Sequence, residues 1–165
     1  MNLAGPERYD LTFDTEKDNR CVVRCSNGTP RFSGLAAKKV AKLYIISREN
    51  WPLYVGMTVQ KMGTRLKLGF TAKGKGGYHG YAWRRSFRNA TLDVWCPVSS
   101  IGLLTPRDAE TIESEIVFLI RQSGQWPLFQ TEIHFHESNA DHRRVAAEIM
   151  RNYEPVPSRR DGIIP

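Results

Sequence analysis

Two short runs decide the fold: Leu43-Tyr44-Ile45-Ile46-Ser47 and Leu53-Tyr54-Val55-Gly56-Met57. Both are rich in β-branched and aromatic residues, and Asn50-Trp51-Pro52 stands in the connection between them. Such runs with turn chemistry between them predict a β-hairpin. Side chains alternate along a strand, so Tyr44 and Tyr54 reach one face when their phases match. Gly56 lets a neighbouring group or a substrate approach the backbone closely.

Working outward, residues 8–32 read as extended, with a turn at Ser26-Asn27-Gly28. Gly34 to Lys42 reads as a short helix with Ser33 as N-cap. A short basic helix is expected over 61–69, and a third strand over Thr91 to Val98. Thr105 caps a helix with Pro106 at its first position, running to about Ser123 and stopped by Gly124. Its residues Ile112, Ile116, Leu119 and Ile120 share one face. Residues 129–136 read as extended, and Asn139 caps a last helix to about Asn152. A loose tail is expected from Pro155.

The chain has 165 residues, 41% of them hydrophobic, which suits one domain with its own core. No apolar run approaches the roughly 20 residues of a membrane-spanning helix. MNLAGPERYD lacks the basic start and apolar stretch of a secretory signal. Three cysteines, Cys21, Cys25 and Cys96, suggest a reducing, cytoplasmic setting and ordinary thiols. A zinc site drawing on Cys21, Cys25 and His134 or His136 is the competing use.

Placement of charge says more than the net +7. From Trp51 to Leu92 there is no Asp or Glu, yet Lys61, Arg65, Lys67, Lys73, Lys75, Arg84, Arg85 and Arg88 all fall there. The rest of the chain carries 16 basic against 17 acidic residues, so this segment holds the whole excess. A basic block attracts a polyanion and releases its counterions. Charge alone is equally compatible with a solvated basic face. Lys73-Gly74-Lys75-Gly76-Gly77 is a flexible loop without the frame of a nucleotide-binding P-loop.

Arg65 follows Tyr54 by eleven residues, and Glu115 lies in the later helix within IESEIVFLIR. In that order and spacing, the set resembles the GIY-YIG nuclease family. Leu43-Tyr44-Ile45 matches the first motif, Tyr54-Val55-Gly56 the second, Arg65-Leu66-Lys67 the arginine element, and Glu115 the helix glutamate. The likeness covers roughly residues 42–136 and is to small stand-alone bacterial members, through GYHGYAW (77–83) and WPLFQTEIHFH (126–136). It implies a small central antiparallel or mixed sheet flanked by helices, an α+β fold. Residues 1–41 would then be an extension packed on the nuclease core at 42–136, followed by a helix and tail at 137–165.

The resemblance also implies a Mg²⁺ or Mn²⁺ cofactor on Glu115, Arg65 on the phosphate, and Tyr44 or Tyr54 as base. Tyr44 is the first choice for the base and Tyr54 for positioning water or phosphate. Hard carboxylate oxygen suits Mg²⁺, and a guanidinium holds two phosphate oxygens at once. Glu113 rivals Glu115, but on a helix the two point roughly 200° apart. Glu115 is preferred because Ile112, Phe118 and Leu119 are its helical neighbours. Three departures stand out. Lys42 precedes Leu43-Tyr44 where the motif has glycine. Gly69 stands four residues after Arg65, where relatives often have His or Tyr; His79, Tyr78 and Tyr81 are open as replacements. Gln130 is the best match to a late Asn.

The expected partner is a nucleic acid, DNA first, held by Lys61, Lys67, Lys73, Lys75, His79, Trp83, Arg84, Arg85 and Arg88. Trp83 could stack on a base or pack in the core. His134 and His136 alternate as a metal pair would, though polar groups at a strand edge do the same. The expectation is therefore a metal-dependent endonuclease. The alternatives are a non-catalytic nucleic-acid-binding module with a decayed site, and a zinc-stabilised interaction domain.

Overall fold

The hairpin forms, but its turn is tighter than expected. In a computed structural model, β3 (Lys42–Arg48) pairs antiparallel with β4 (Trp51–Thr58). The connection is Glu49-Asn50, both at positive φ (52° and 66°), as a two-residue hairpin turn requires. Trp51 and Pro52 already belong to β4. Pro52 is tolerated because β4 is an edge strand and a bulge falls between Ile46 and Ser47 of its partner. The structure describes residues 1–13, 21–25, 28–73, 80–81, 83, 86–99, 102–124, 129–130 and 133–153. The expected tail from Pro155 and residues 26–27 of the proposed turn lie outside them.

The remaining elements are β1 (Asn2–Phe13), β2 (Cys21–Cys25), α1 (Met62–Thr71), β5 (Asn89–Ser99), β6 (Gly102–Leu103), α2 (Pro106–Gln122) and α3 (Ala140–Met150). The sheet runs β2-β1-β5-β3-β4, with β6 on β5, and all its pairings are antiparallel. The chain is thus α+β, an antiparallel sheet with three helices. β1 pairs with β5 from Asn2↔Val98 to Thr12↔Asn89 and lies between β2 and β5. Of the residues read as an extension packed on the core, 2–13 and 21–25 are strands of the sheet.

Alternation gives the sheet two apolar faces. Tyr9, Leu11, Tyr44, Ile46, Leu92 and Val94 pack with Met62, Leu66 and Phe70 of α1. Leu43, Ile45, Val55 and Trp95 pack with Ile112, Ile116 and Ile120 of α2 and Val145, Ala146 and Ile149 of α3. Helix α2 starts as read: Thr105 Oγ1 accepts from the Asp108 N–H (3.1 Å), and Asp108 accepts back from the Thr105 N–H (3.1 Å). It stops at Ser123 before Gly124, at φ 86°. Asn139 caps α3 by accepting from Asp141 and His142.

Two expected elements do not form. In place of the helix expected over 34–42, residues 34–37 make a turn and Lys42 already belongs to β3. The turn's free N–H groups at Leu35 and Ala36 donate to the Glu7 carboxylate of β1 (2.6 and 2.9 Å), a tertiary cap invisible in the local sequence. Among the described residues of 129–136 there is no strand. Instead the Phe129 N–H donates to Leu53 O (3.2 Å) and Gln130 Oε1 accepts from the Val55 N–H (3.1 Å), covering the exposed side of β4.

Candidate active site

The hairpin register puts Tyr44 opposite Gly56 and Ile46 opposite Tyr54, so both tyrosines project from the α1 side of the sheet. Their rings lie 5.9 Å apart. Gly56 is used by Tyr44 itself: a Cβ there would lie 2.5 Å from the Tyr44 hydroxyl. Helix α1 crosses this face with Met62, Leu66 and Phe70 buried, which turns Arg65 toward the tyrosines. Arg65 Nε donates to Tyr44 Oη at 3.2 Å. Tyr44 Oη is also 2.7 Å from Tyr81 Oη, and the Arg65 guanidinium sits 5.7 Å from the Tyr81 ring centre.

Three of the four residues expected to carry chemistry are therefore together. The fourth, Glu115, stands half-buried on α2. Glu113, not Glu115, is the α2 carboxylate whose charge bears on Tyr54. Glu113 is buried with Ala109, Ile112, Ile116, Val117 and Ile120, whereas Glu115 is only half-buried. The preference for Glu115 leaned on Phe118 as an inward neighbour, and Phe118 is 55% exposed. The inward stripe is 109, 112, 113, 116, 117, 120, a helical periodicity in which Glu113 is the one carboxylate. Helix α2 packs against the edge strand β4, and the Glu113 charge adds to the rise that burial causes in Tyr54.

Burial pushes Tyr44 well above the usual tyrosine range; the Tyr81 hydroxyl adds to this and the Arg65 charge offsets part of it. Burial likewise raises Tyr54, with Tyr44 and Glu113 adding and Arg65 opposing. Both are neutral phenols at neutral pH. Tyr44 has no exposed surface, while Tyr54 is only partly buried. The lysine in place of the motif's first glycine has a structural use. Lys42 is buried, and its ammonium donates to Lys38 O (2.7 Å), Val40 O (2.9 Å) and Gln60 O (2.8 Å).

Of the residues expected to hold nucleic acid, Lys61, Lys67, Lys73 and Arg88 are exposed. Lys75, His79, Arg84 and Arg85 lie outside the described residues, as does Tyr78. Trp83 does not face solvent. It is fully buried, edge-on to Phe13 (5.3 Å) and Phe70 (5.8 Å) and tilted on Tyr81 (5.1 Å), so it is core rather than a stacking platform. His136 does not join His134 on a strand; its Nε2 meets Glu110 of α2 at 2.8 Å. Among the described residues no three His, Cys, Asp or Glu side chains cluster as a metal site. No helix among them is long and apolar enough to cross a membrane. Compared with known proteins, the chain matches no family model, no curated protein and no solved structure.

Proposed function

We propose that this protein is a metal-dependent endonuclease of the GIY-YIG type that hydrolyses phosphodiester bonds in a nucleic acid, DNA in the first instance. The observation that carries the reading is the convergence of Tyr44, Tyr54 and Arg65 from three separate elements, with Glu113 buried on α2, the helix that packs against β4. Exposed cations at Lys61, Lys67 and Arg88, in a stretch from 51 to 92 that has no Asp or Glu, supply attraction for the polyanion.

Arg65 grips the scissile phosphate, its guanidinium held by the Tyr44 oxygen so that it loses little freedom on binding. Glu113 is the residue to hold Mg²⁺ or Mn²⁺, a hard oxygen donor for a cation whose other ligands are water and substrate oxygens. When bound, the ion supplies Lewis-acid charge and a more acidic water. Tyr54, half-open at the sheet edge, faces the attacking water. Tyr44 was the first choice as base, but a hydroxyl with no exposure and two protein neighbours orients Arg65 rather than touching water. With the base a tyrosine whose pKa is raised, the phenolate fraction grows about tenfold per pH unit below that pKa.

The burial of Tyr44 and Glu113 also favours a second reading, a nucleic-acid-binding module whose site no longer turns over. Incubation of supercoiled plasmid, single-stranded DNA and RNA with Mg²⁺ or EDTA separates the two. Cleavage only with metal, lost in Arg65→Ala and Glu113→Gln, supports the nuclease. Salt-dependent binding without cleavage of any substrate supports the module.

A further inference from the structure

Tyr81 has no role in the chemistry above, yet it is built into the site from two directions. Its N–H donates to Gly69 O (3.1 Å), tying it to α1 one turn beyond Arg65. Gly69 is buried in that helix, and a Cβ there would collide with the Tyr81 ring. A Cβ on Gly80, at φ 74°, would collide with Gly69 O. A glycine inside a helix costs stability, about 1 kcal/mol relative to alanine. Here the missing side chain is what admits the ring.

An apolar ring would fill the same space. Tyr81 packs on Phe70 (5.8 Å), Tyr54 (5.4 Å) and Trp83 (5.1 Å), and only 3% of it is exposed. A buried hydroxyl is costly unless bonded, and this one meets Tyr44 Oη at 2.7 Å. A hydroxyl has one proton and two acceptor positions. Arg65 Nε occupies one acceptor position of Tyr44 Oη. Tyr81 takes the proton or the second acceptor position, and in either case fixes the direction of what remains.

We propose that Tyr81 is a positioning residue, locking the Tyr44 hydroxyl and the Arg65 guanidinium, and that Gly69 exists to admit it. This role rests on the nuclease reading. It is tested on the full chain with plasmid DNA and Mg²⁺. Tyr81→Phe keeps the ring and removes only the oxygen. Its kcat is expected to fall about tenfold with KM little changed, and the loss of one buried hydrogen bond should lower the melting temperature by only a few degrees. In protein labelled with ¹³C at tyrosine Cζ, the Tyr44 resonance should shift. Gly69→Ala should lower kcat in the Tyr81 protein and have little further effect in a Tyr81→Leu background, because the two positions share one volume.

Wild-type cleavage with Tyr81→Phe at wild-type kcat and an unmoved Tyr44 resonance would overturn the role while leaving the nuclease reading intact. Additive effects of Gly69→Ala and Tyr81→Leu would overturn the assignment of Gly69. If the wild type cuts none of the substrates, the nuclease reading fails, and the catalytic role of Tyr81 with it.

Discussion

Two buried polar clusters sit on neighbouring strands of this sheet, and they are built on opposite terms. On β5, Asp93 has no exposed surface and accepts both arms of Arg8 (2.7 and 2.8 Å) and the Tyr153 hydroxyl (2.7 Å). The Trp95 indole donates to that same hydroxyl at 3.4 Å. Charge meets opposite charge, and the cluster pins α3's end to the sheet. On β3, the Tyr44 oxygen instead collects Arg65 and Tyr81, with Tyr54 beside it and Glu113 beyond. There a cation donates to a phenol oxygen rather than to a carboxylate.

Several substitutions would sharpen or break this contrast. The largest effect on cleavage is expected from Arg65→Ala, about 100-fold or more in kcat/KM, with the fold retained. Asp93→Ala should do the reverse. It leaves Arg8 and Tyr153 without their buried partner and should cost about 3 kcal/mol in denaturant unfolding, with cleavage by the folded fraction near normal. Equal loss of activity and stability in both variants would erase the distinction.

Alkaline pH should act on both clusters. Tyr44, Tyr54 and Tyr153 all have pKa values raised above 10, with burial as the first cause. A raised tyrosine pKa means the folded state holds a proton the unfolded chain would release. The stability it carries is complete below about pH 10 and is lost as pH rises toward the folded-state values. Unfolding midpoints should therefore fall above pH 10. Cleavage rates should climb from pH 7 until that loss begins, and a flat rate over this range would count against a tyrosine base. The smallest effect concerns binding. Lys67→Ala should reduce the slope of log affinity against log salt by about 1 for duplex DNA, while Trp83→Phe should leave it unchanged, as a core residue would.

Local signals in the chain were legible where physics is local. The Thr105-Pro106 start, the Gly124 stop and the Asn139 cap follow from hydrogen-bonding groups within three residues. The hairpin and the shared face of Tyr44 and Tyr54 followed from alternation. What sequence could not yield was set by distant partners. The Glu7 cap crosses 28 residues to Leu35, and the 34–37 turn without it resembled a helix start. Trp83 carries arginine neighbours in sequence but aromatic neighbours in space. The burial of Glu113 was readable in principle, since its stripe is periodic, but Phe118 was weighted as an apolar-face neighbour of Glu115 when it faces outward. Of the three options Tyr81 is the one within the described residues, where it packs on Gly69 and meets Tyr44.

The exchange of glutamates tests the central claim most directly. Plasmid cleavage would be measured with Mg²⁺ and with EDTA for wild type, Glu113→Gln and Glu115→Gln. Metal-dependent cutting that falls about 100-fold or more in Glu113→Gln, and stays within about threefold of wild type in Glu115→Gln, is the predicted result. Loss in Glu115→Gln with activity kept in Glu113→Gln would contradict the site described here.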